Sequence, residues 1–243
     1  METLPSGRSV FGSLFDMLFP PVCPLCEKAI VKEDLCQGCL SGFNALKIAS
    51  PLCTRCGVPF ALSASKDHLC GRCCKKEPPY IQSRSVFGYD GAVLDAIHSL
   101  KYRHNVGIAP ALGRLIALSG CVPDEKVDIV VPVPLHPSRL RKRGFNQSLL
   151  IARPIAGALR AKIDYTGLKK IKSTKDQIGL DEKERAENMK GAFAAALKAF
   201  DGKTVLLVDD VYTTGATIRA CSSALVRAGA RVYAITLART GMV

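Results

Sequence analysis

From residue 84 onward the chain repeats one pattern: a short run of aliphatic and β-branched residues, then a longer stretch in which apolar side chains return every three or four positions. The short runs at 84–89, 128–133, 204–209 and 232–238 predict strands. Helical spacing predicts helices over 92–103, 106–118, 146–162, 181–200 and 216–228. Strands alternating with helices imply an α/β fold with a mainly parallel, open sheet covered on both faces. Ligands of such sheets gather beyond the carboxyl ends of the strands, so the residues that follow each apolar run are the ones to search for chemistry.

The first 80 residues follow no such rhythm. Val10, Phe11, Leu14, Phe15, Leu18 and Phe19 recur at helical spacing and stop at Pro20 and Pro21, which predicts a short amphipathic segment over 1–21. It either packs on the module that follows or makes a weak peripheral contact with a membrane, since one short apolar face binds lipid only marginally. Cysteines dominate 22–80, and KKEPPYIQ at 75–82 marks the passage to a third unit over 81–243.

Composition bounds the rest. With 243 residues, 48% hydrophobic and 23% charged, the chain reads as a soluble globular protein, one medium domain plus a small module, and not as a disordered one. No stretch reaches the roughly 18 to 20 apolar residues needed to span a bilayer, and the start does not resemble a secretory signal. A cytoplasmic location is expected, with the inner face of the membrane as the place a peripheral contact would be made. The net charge of +13 serves solubility or anionic partners, and much of it is local: residues 137–190 hold 14 basic and 6 acidic side chains, a net +8.

Nine of the 11 cysteines precede residue 75, eight of them in two tandem units: Cys23, Cys26, Cys36 and Cys39, then Cys53, Cys56, Cys70 and Cys73. A Cys-x-x-Cys turn presents two thiolates at one corner and a second turn closes a tetrahedral zinc site, so the spacing predicts two structural Zn²⁺ ions. Disulfides are the competing reading, and the absence of a secretory pattern weighs against them. Cys74 could replace Cys73, and His68 could stand in for a thiolate in the second site. Full coordination leaves no open position for catalysis, so the ions would staple a segment too small for its own core. Zinc ribbons also bind nucleic acid, but Arg55, Lys66, Arg72, Lys75 and Lys76 are few and poorly interleaved with aromatics.

The run VLLVDDVYTTGAT at 205–217 carries the sharpest chemistry. An apolar strand enters two carboxylates, Asp209 and Asp210, then a Thr-rich turn with Gly215, then a helix. Gly215 lets the backbone approach a phosphate, Thr213, Thr214 and Thr217 offer hydroxyls, and the helix start offers unpaired N–H groups. The carboxylates would repel a phosphate, but they accept hydrogen bonds from vicinal ribose hydroxyls and can orient a hydrated Mg²⁺. The alternative is an ordinary strand-to-helix turn with Asp210 as a cap.

This run resembles the signature of phosphoribosyltransferases, and with the preceding cysteine module the chain resembles the ComF family, whose members are linked to competence and DNA uptake. The likeness extends through LKYRHN at 100, VPVPLHPSRLRKRGFNQS at 131 and TKDQIGLDEKERAENMKGAF at 174. It implies a sheet of the type I phosphoribosyltransferase kind behind a double zinc-ribbon-like module, and phosphoribosyl pyrophosphate with Mg²⁺ as ligand. Asp209 and Asp210 would then hold the ribose, and Thr213, Thr214, Gly215, Ala216 and Thr217 the 5′-phosphate. Lys101 and Arg103 match the pyrophosphate region, or else form a solvated helix end. Arg139, Arg141, Lys142 and Arg143 precede Gly144 to Gln147, a segment that resembles the flap closing over pyrophosphate, and such a cluster of cations also suits a nucleic-acid backbone. Asp209, Asp210, Lys101 and Arg143 are thus the catalytic candidates for displacement of pyrophosphate by a nitrogen nucleophile. Thr213 stands where 6-oxopurine salvage enzymes carry a carboxylate, which turns the loop away from that substrate class. The runner-up is a non-catalytic ligand sensor that binds single-stranded DNA or the DNA-uptake machinery. The acceptor and the oligomeric state are left open.

Overall fold

The computed structural model describes residues 20–30, 34–61, 66–172 and 188–241. Most of the amphipathic segment expected over 1–21, and the first part of the helix expected over 181–200, lie outside them. Two short helices, α1 (Gln37–Asn44) and α2 (Gly71–Lys75), belong to the cysteine region. Then follow β1 (Gln82–Gly88), α3 (Gly91–Tyr102), α4 (Ala109–Ala117), β2 (Ile129–Pro132), α5 (Pro137–Arg143) and α6 (Gln147–Leu159). The chain continues with β3 (Lys162–Ile163), β4 (Leu168–Lys170), β5 (Phe193–Ala195), β6 (Thr204–Tyr212), α7 (Ala216–Arg227) and β7 (Arg231–Arg239).

Five strands form a wholly parallel sheet in the order β1-β7-β6-β2-β3, and β4 and β5 pair antiparallel beside it. β6 is central and buried on both faces, which explains its continuous rather than alternating apolar run. Leu206 and Val208 face a core built with α3, α4 and α6, whereas Val205 and Leu207 face a second core built with α7 and the β4–β5 hairpin.

The cysteine region covers the free edge of β1. Ile48 N–H donates to the Val86 carbonyl at 2.9 Å, Gly88 N–H to Leu46 at 2.8 Å, and Ser83 N–H to Arg55 at 2.7 Å. An edge that would otherwise expose a row of backbone groups is closed in this way. Phe43 of α1 meets Phe87 edge to face at 5.2 Å, and Cys23, Leu35 and Phe43 join the first core. Cys53, Cys56, Cys73 and Tyr80 join the second. The two cysteine units thus straddle the sheet.

Two expectations are corrected. The helix expected over 146–162 stops at Leu159, where Arg160 takes a left-handed conformation at φ 50°, and Lys162–Ile163 pairs with β2 as the far edge strand. The described part of 181–200 is not helical beyond residue 189. Gly191 turns the chain at φ 66°, and Phe193, only 3% exposed, enters the second core as part of β5. Burial of Phe193 outweighs the helix propensity of the alanines around it.

Candidate functional site

β6 delivers its last residues to an open cleft of about 820 Å³ at the carboxyl end of the sheet. Asp209, Asp210, Thr213, Gly215 and Thr217 line it from the central strand and the turn into α7. Lys101 enters from the end of α3, and Arg139, Lys142 and Arg143 from α5. Residues 137–143 form a helix here, capped by His136 and ended by Gly144 at φ 79°. Arg103 caps the end of α3 outside the cleft lining, and Ala216 is buried as the first residue of α7. Thr214 faces a smaller neighbouring cavity.

The turn is fixed by Gly215. Its φ of 78° suits glycine, and a Cβ there would overlap the Tyr212 hydroxyl. Thr214 Oγ1 accepts from the Ala216 N–H at 3.4 Å, and Arg219 donates to the Thr214 carbonyl at 2.6 Å.

Both carboxylates are buried, and a network holds them in different states. Ser148 Oγ donates to Asp209 Oδ1 at 2.8 Å, as does the Asp210 N–H at 3.0 Å. Gln147 Nε2 lies 3.4 Å from Asp210 Oδ1, and Arg143 donates to Gln147 Oε1 at 2.8 Å. Lys101 forms an ion pair with the other Asp210 oxygen. Burial, then the charge of Asp210, push the Asp209 carboxyl up to about 8 despite Ser148 and Lys101. Burial would raise Asp210 as well, but Lys101 holds it below the usual carboxylate range. Burial likewise opposes the charge on Lys101, and Asp210 more than compensates, holding that amine above its ordinary value.

Sequence reasoning placed Gln147 only in the expected flap segment and did not link Gln147 or Ser148 to the carboxylates. Their signal was a polar pair opening an otherwise apolar helix behind Asn146, whose side chain caps α6 by accepting from the Ser148 N–H at 3.0 Å. Tyr89, Tyr102, His104, Lys170 and Phe193 also line the cleft. Among the described lining residues five cations, Lys101, Arg139, Lys142, Arg143 and Lys170, surround two carboxylates, a balance that suits a polyanion. The protein oxygens do not form a complete metal cage, since Ser148, Gln147 and Lys101 already engage the acids. The site fits a hard cation carried largely on a ligand's own phosphates.

The cysteines form two clusters, Cys23, Cys26, Cys36 and Cys39, and Cys53, Cys56, Cys70 and Cys73, with the sulfurs of each set within 4.8 Å of one another. Zn–S bonds of about 2.3 Å in a tetrahedron place sulfurs about 3.8 Å apart. The Cys23–Cys39, Cys26–Cys36 and Cys56–Cys70 separations of 3.8, 3.4 and 3.7 Å fit that figure and are far too long for disulfides. Burial disfavours the Cys53 thiolate, but the N–H groups of Cys56, Cys70 and Arg55 outweigh it and bring the thiol down to about 6. Cys74 is exposed and lies outside the cluster, and His68 stacks on Phe60 at 4.0 Å, so neither joins the second set.

A side-chain relay joins the second cluster to the cleft. Arg239 donates to the Cys56 carbonyl and lies over the Tyr212 ring at 4.0 Å, and the Tyr212 and Tyr80 hydroxyls are 3.3 Å apart.

Comparison with known proteins matches residues 14–74 to the double zinc ribbon domain and residues 146–241 to the phosphoribosyl transferase domain. DNA utilization protein YhgH of Escherichia coli K12 is 34% identical over 219 residues, covering 87% of this chain and 93% of that one. Competence protein F of Haemophilus influenzae is 32% identical over 82% of this chain and 87% of its own. Competence protein ComFC of Bacillus subtilis is 29% identical over 86% and 85%. Two four-cysteine zinc sites packed on a parallel sheet of phosphoribosyltransferase type, with relatives along most of its length, place this chain in the ComF family.

Proposed function

We propose that the cleft binds phosphoribosyl pyrophosphate together with Mg²⁺ and that the protein transfers the phosphoribosyl group to a nitrogen acceptor. The observation that carries this reading is the pair of buried carboxylates, Asp209 and Asp210, set directly before the Gly215 turn and ringed by cations. Asp209 and Asp210 accept hydrogen bonds from the ribose hydroxyls, and the segment from Thr213 to Thr217 receives the 5′-phosphate at the start of α7. Lys101 and Arg143 meet the pyrophosphate, and Arg139 and Lys142 extend that field. Arg103 is assigned to the outer approach of the same anion. Mg²⁺ bound with the ligand neutralises part of the leaving group's charge. The acceptor's nitrogen forms a bond to C1 of the sugar as the C1–oxygen bond to pyrophosphate breaks and the electron pair leaves with it. The chain's own contribution is positioning and electrostatics. Pyrophosphate release in the presence of nitrogen acceptors, compared with an Asp209→Asn/Asp210→Asn control, tests turnover. Equal release from both proteins would contradict it.

A second reading rests on a line of rings beside the α5 cations. Tyr89 and His98 are joined by a 3.2 Å hydrogen bond, His98 meets Tyr102 at 5.4 Å, and His104 meets Phe145 at 5.8 Å. Rings next to Arg139 to Arg143 offer stacking and phosphate contacts to single-stranded DNA, in keeping with the DNA utilization named in the Escherichia coli relative. Affinity that falls steeply with salt supports it, and salt-independent or absent binding contradicts it. The thiol clusters favour the reducing cytoplasm. Among the described residues no helix is long and apolar enough to cross a membrane, and the 1–21 segment either packs on the cysteine module or makes a weak peripheral contact at the inner face.

A further inference from the structure

Behind the phosphate turn lies a second cavity of about 250 Å³, between the second cysteine cluster and the ends of β6 and β7. It meets the main cleft at Tyr212, Thr213 and Thr240, which line both. Among the described residues four cations line it, Arg72 and Lys76 from the cysteine unit and Arg219 and Arg239 from the α/β unit, and no carboxylate does. Arg239 is 5% exposed, and its buried Nε has no hydrogen-bond acceptor. A buried, incompletely satisfied guanidinium is costly, and the Cys56 carbonyl and the Tyr212 ring that Arg239 engages leave its Nε without an acceptor.

We propose that this cavity is a second anion site, taking the phosphate or carboxylate of a small ligand. Its volume falls below the usual range for drug-sized ligands, which limits the occupant to about one ring with one charged group. Arg239 is the buried anchor and Arg219 the wall shared with the phosphate turn through its bond to Thr214. Arg72 and Lys76 close the outer side, so the site exists only where the zinc module and the α/β domain meet. The proposal does not rest on the ligand assigned to the main cleft.

The test uses the zinc-loaded full chain and arginine-directed phenylglyoxal modification, read residue by residue by mass spectrometry. Inorganic phosphate and benzoate are compared with chloride at equal ionic strength. At a concentration about ten times its Kd, an occupying anion slows modification of Arg72 and Arg219 about tenfold by mass action. The same protection is expected in the Asp209→Asn/Asp210→Asn protein, which separates failure here from failure of the main ligand. Protection by phosphate at lower concentration than benzoate assigns the site to a phosphate, and the reverse order to a ring-bearing carboxylate. Equal labelling of Arg72 and Arg219 with every anion would overturn the proposal and leave these cations as counter-charges of the zinc cluster.

Discussion

Lys101, in the last turn of α3, and Asp210, near the end of the central strand, form an ion pair at the floor of the cleft. Removing Lys101 leaves Asp210 beside Asp209 without its cation. Lys101→Met should cost roughly 3 kcal/mol when both acids are ionised, the scale for breaking a buried pair. The cost should shrink in acid, where one carboxyl takes up a proton. Thermal melting of wild type and variant at pH 5 and pH 8 checks this, and an equal deficit at both values contradicts it.

Asp209 carries a pH signature of its own. Its carboxyl sits at about 8 in the folded protein, above the ordinary aspartate value of about 4. A raised pKa means that the stability from binding this proton is fully present below about pH 4 and is lost as pH rises toward 8. Ribose hydroxyls need the ionised acid, so ligand binding should expel the proton and strengthen between about pH 5 and 8. Calorimetry near neutral pH in buffers of different ionisation enthalpy should show proton release that disappears well above pH 8. No buffer dependence near neutrality would contradict the assignment.

Gly215→Ala should abolish binding of the sugar diphosphate and lower stability by more than about 1 kcal/mol, because φ is positive and the methyl group meets Tyr212. Gly120, also at positive φ but with open space around its Cβ position, provides the control. Gly120→Ala should reduce melting temperature modestly and leave affinity unchanged. Retained affinity in Gly215→Ala would show that the turn does not hold the phosphate.

The zinc sites should be unequal in their effect on the cleft. Arg239 ties Tyr212 to the backbone of Cys56, whereas the first cluster joins the opposite core through Cys23. Cys73→Ser should lower zinc to one ion per chain and weaken ligand binding. Cys26→Ser should lower zinc equally while leaving affinity close to wild type. Equal loss of affinity in both variants would remove the relay from the account.

The central strand and the phosphate turn were legible because their signals are local: an apolar run, two acids, three threonines and a glycine lie within residues 205–217. Zinc ligation was legible for the same reason, through cysteine spacing. Lys101 was visible only by resemblance, and its pairing with Asp210 depends on strand order. Ser148 and Gln147 reach the acids because α6 packs against the central strand, a relationship that residue spacing does not encode. The helix expected over 181–200 failed in its described part because propensity favours alanine-rich helix while burial of Phe193 favours a strand. The Arg239–Tyr212–Cys56 relay spans both units and had no sequence signature.

The most direct measurement is calorimetric titration of phosphoribosyl pyrophosphate, with and without Mg²⁺, into wild type and the Asp209→Asn/Asp210→Asn protein. The account predicts saturable binding to wild type, strengthened by Mg²⁺, and its loss in the double variant with both zinc ions retained. Equal binding to the two proteins, or none to wild type, would contradict it.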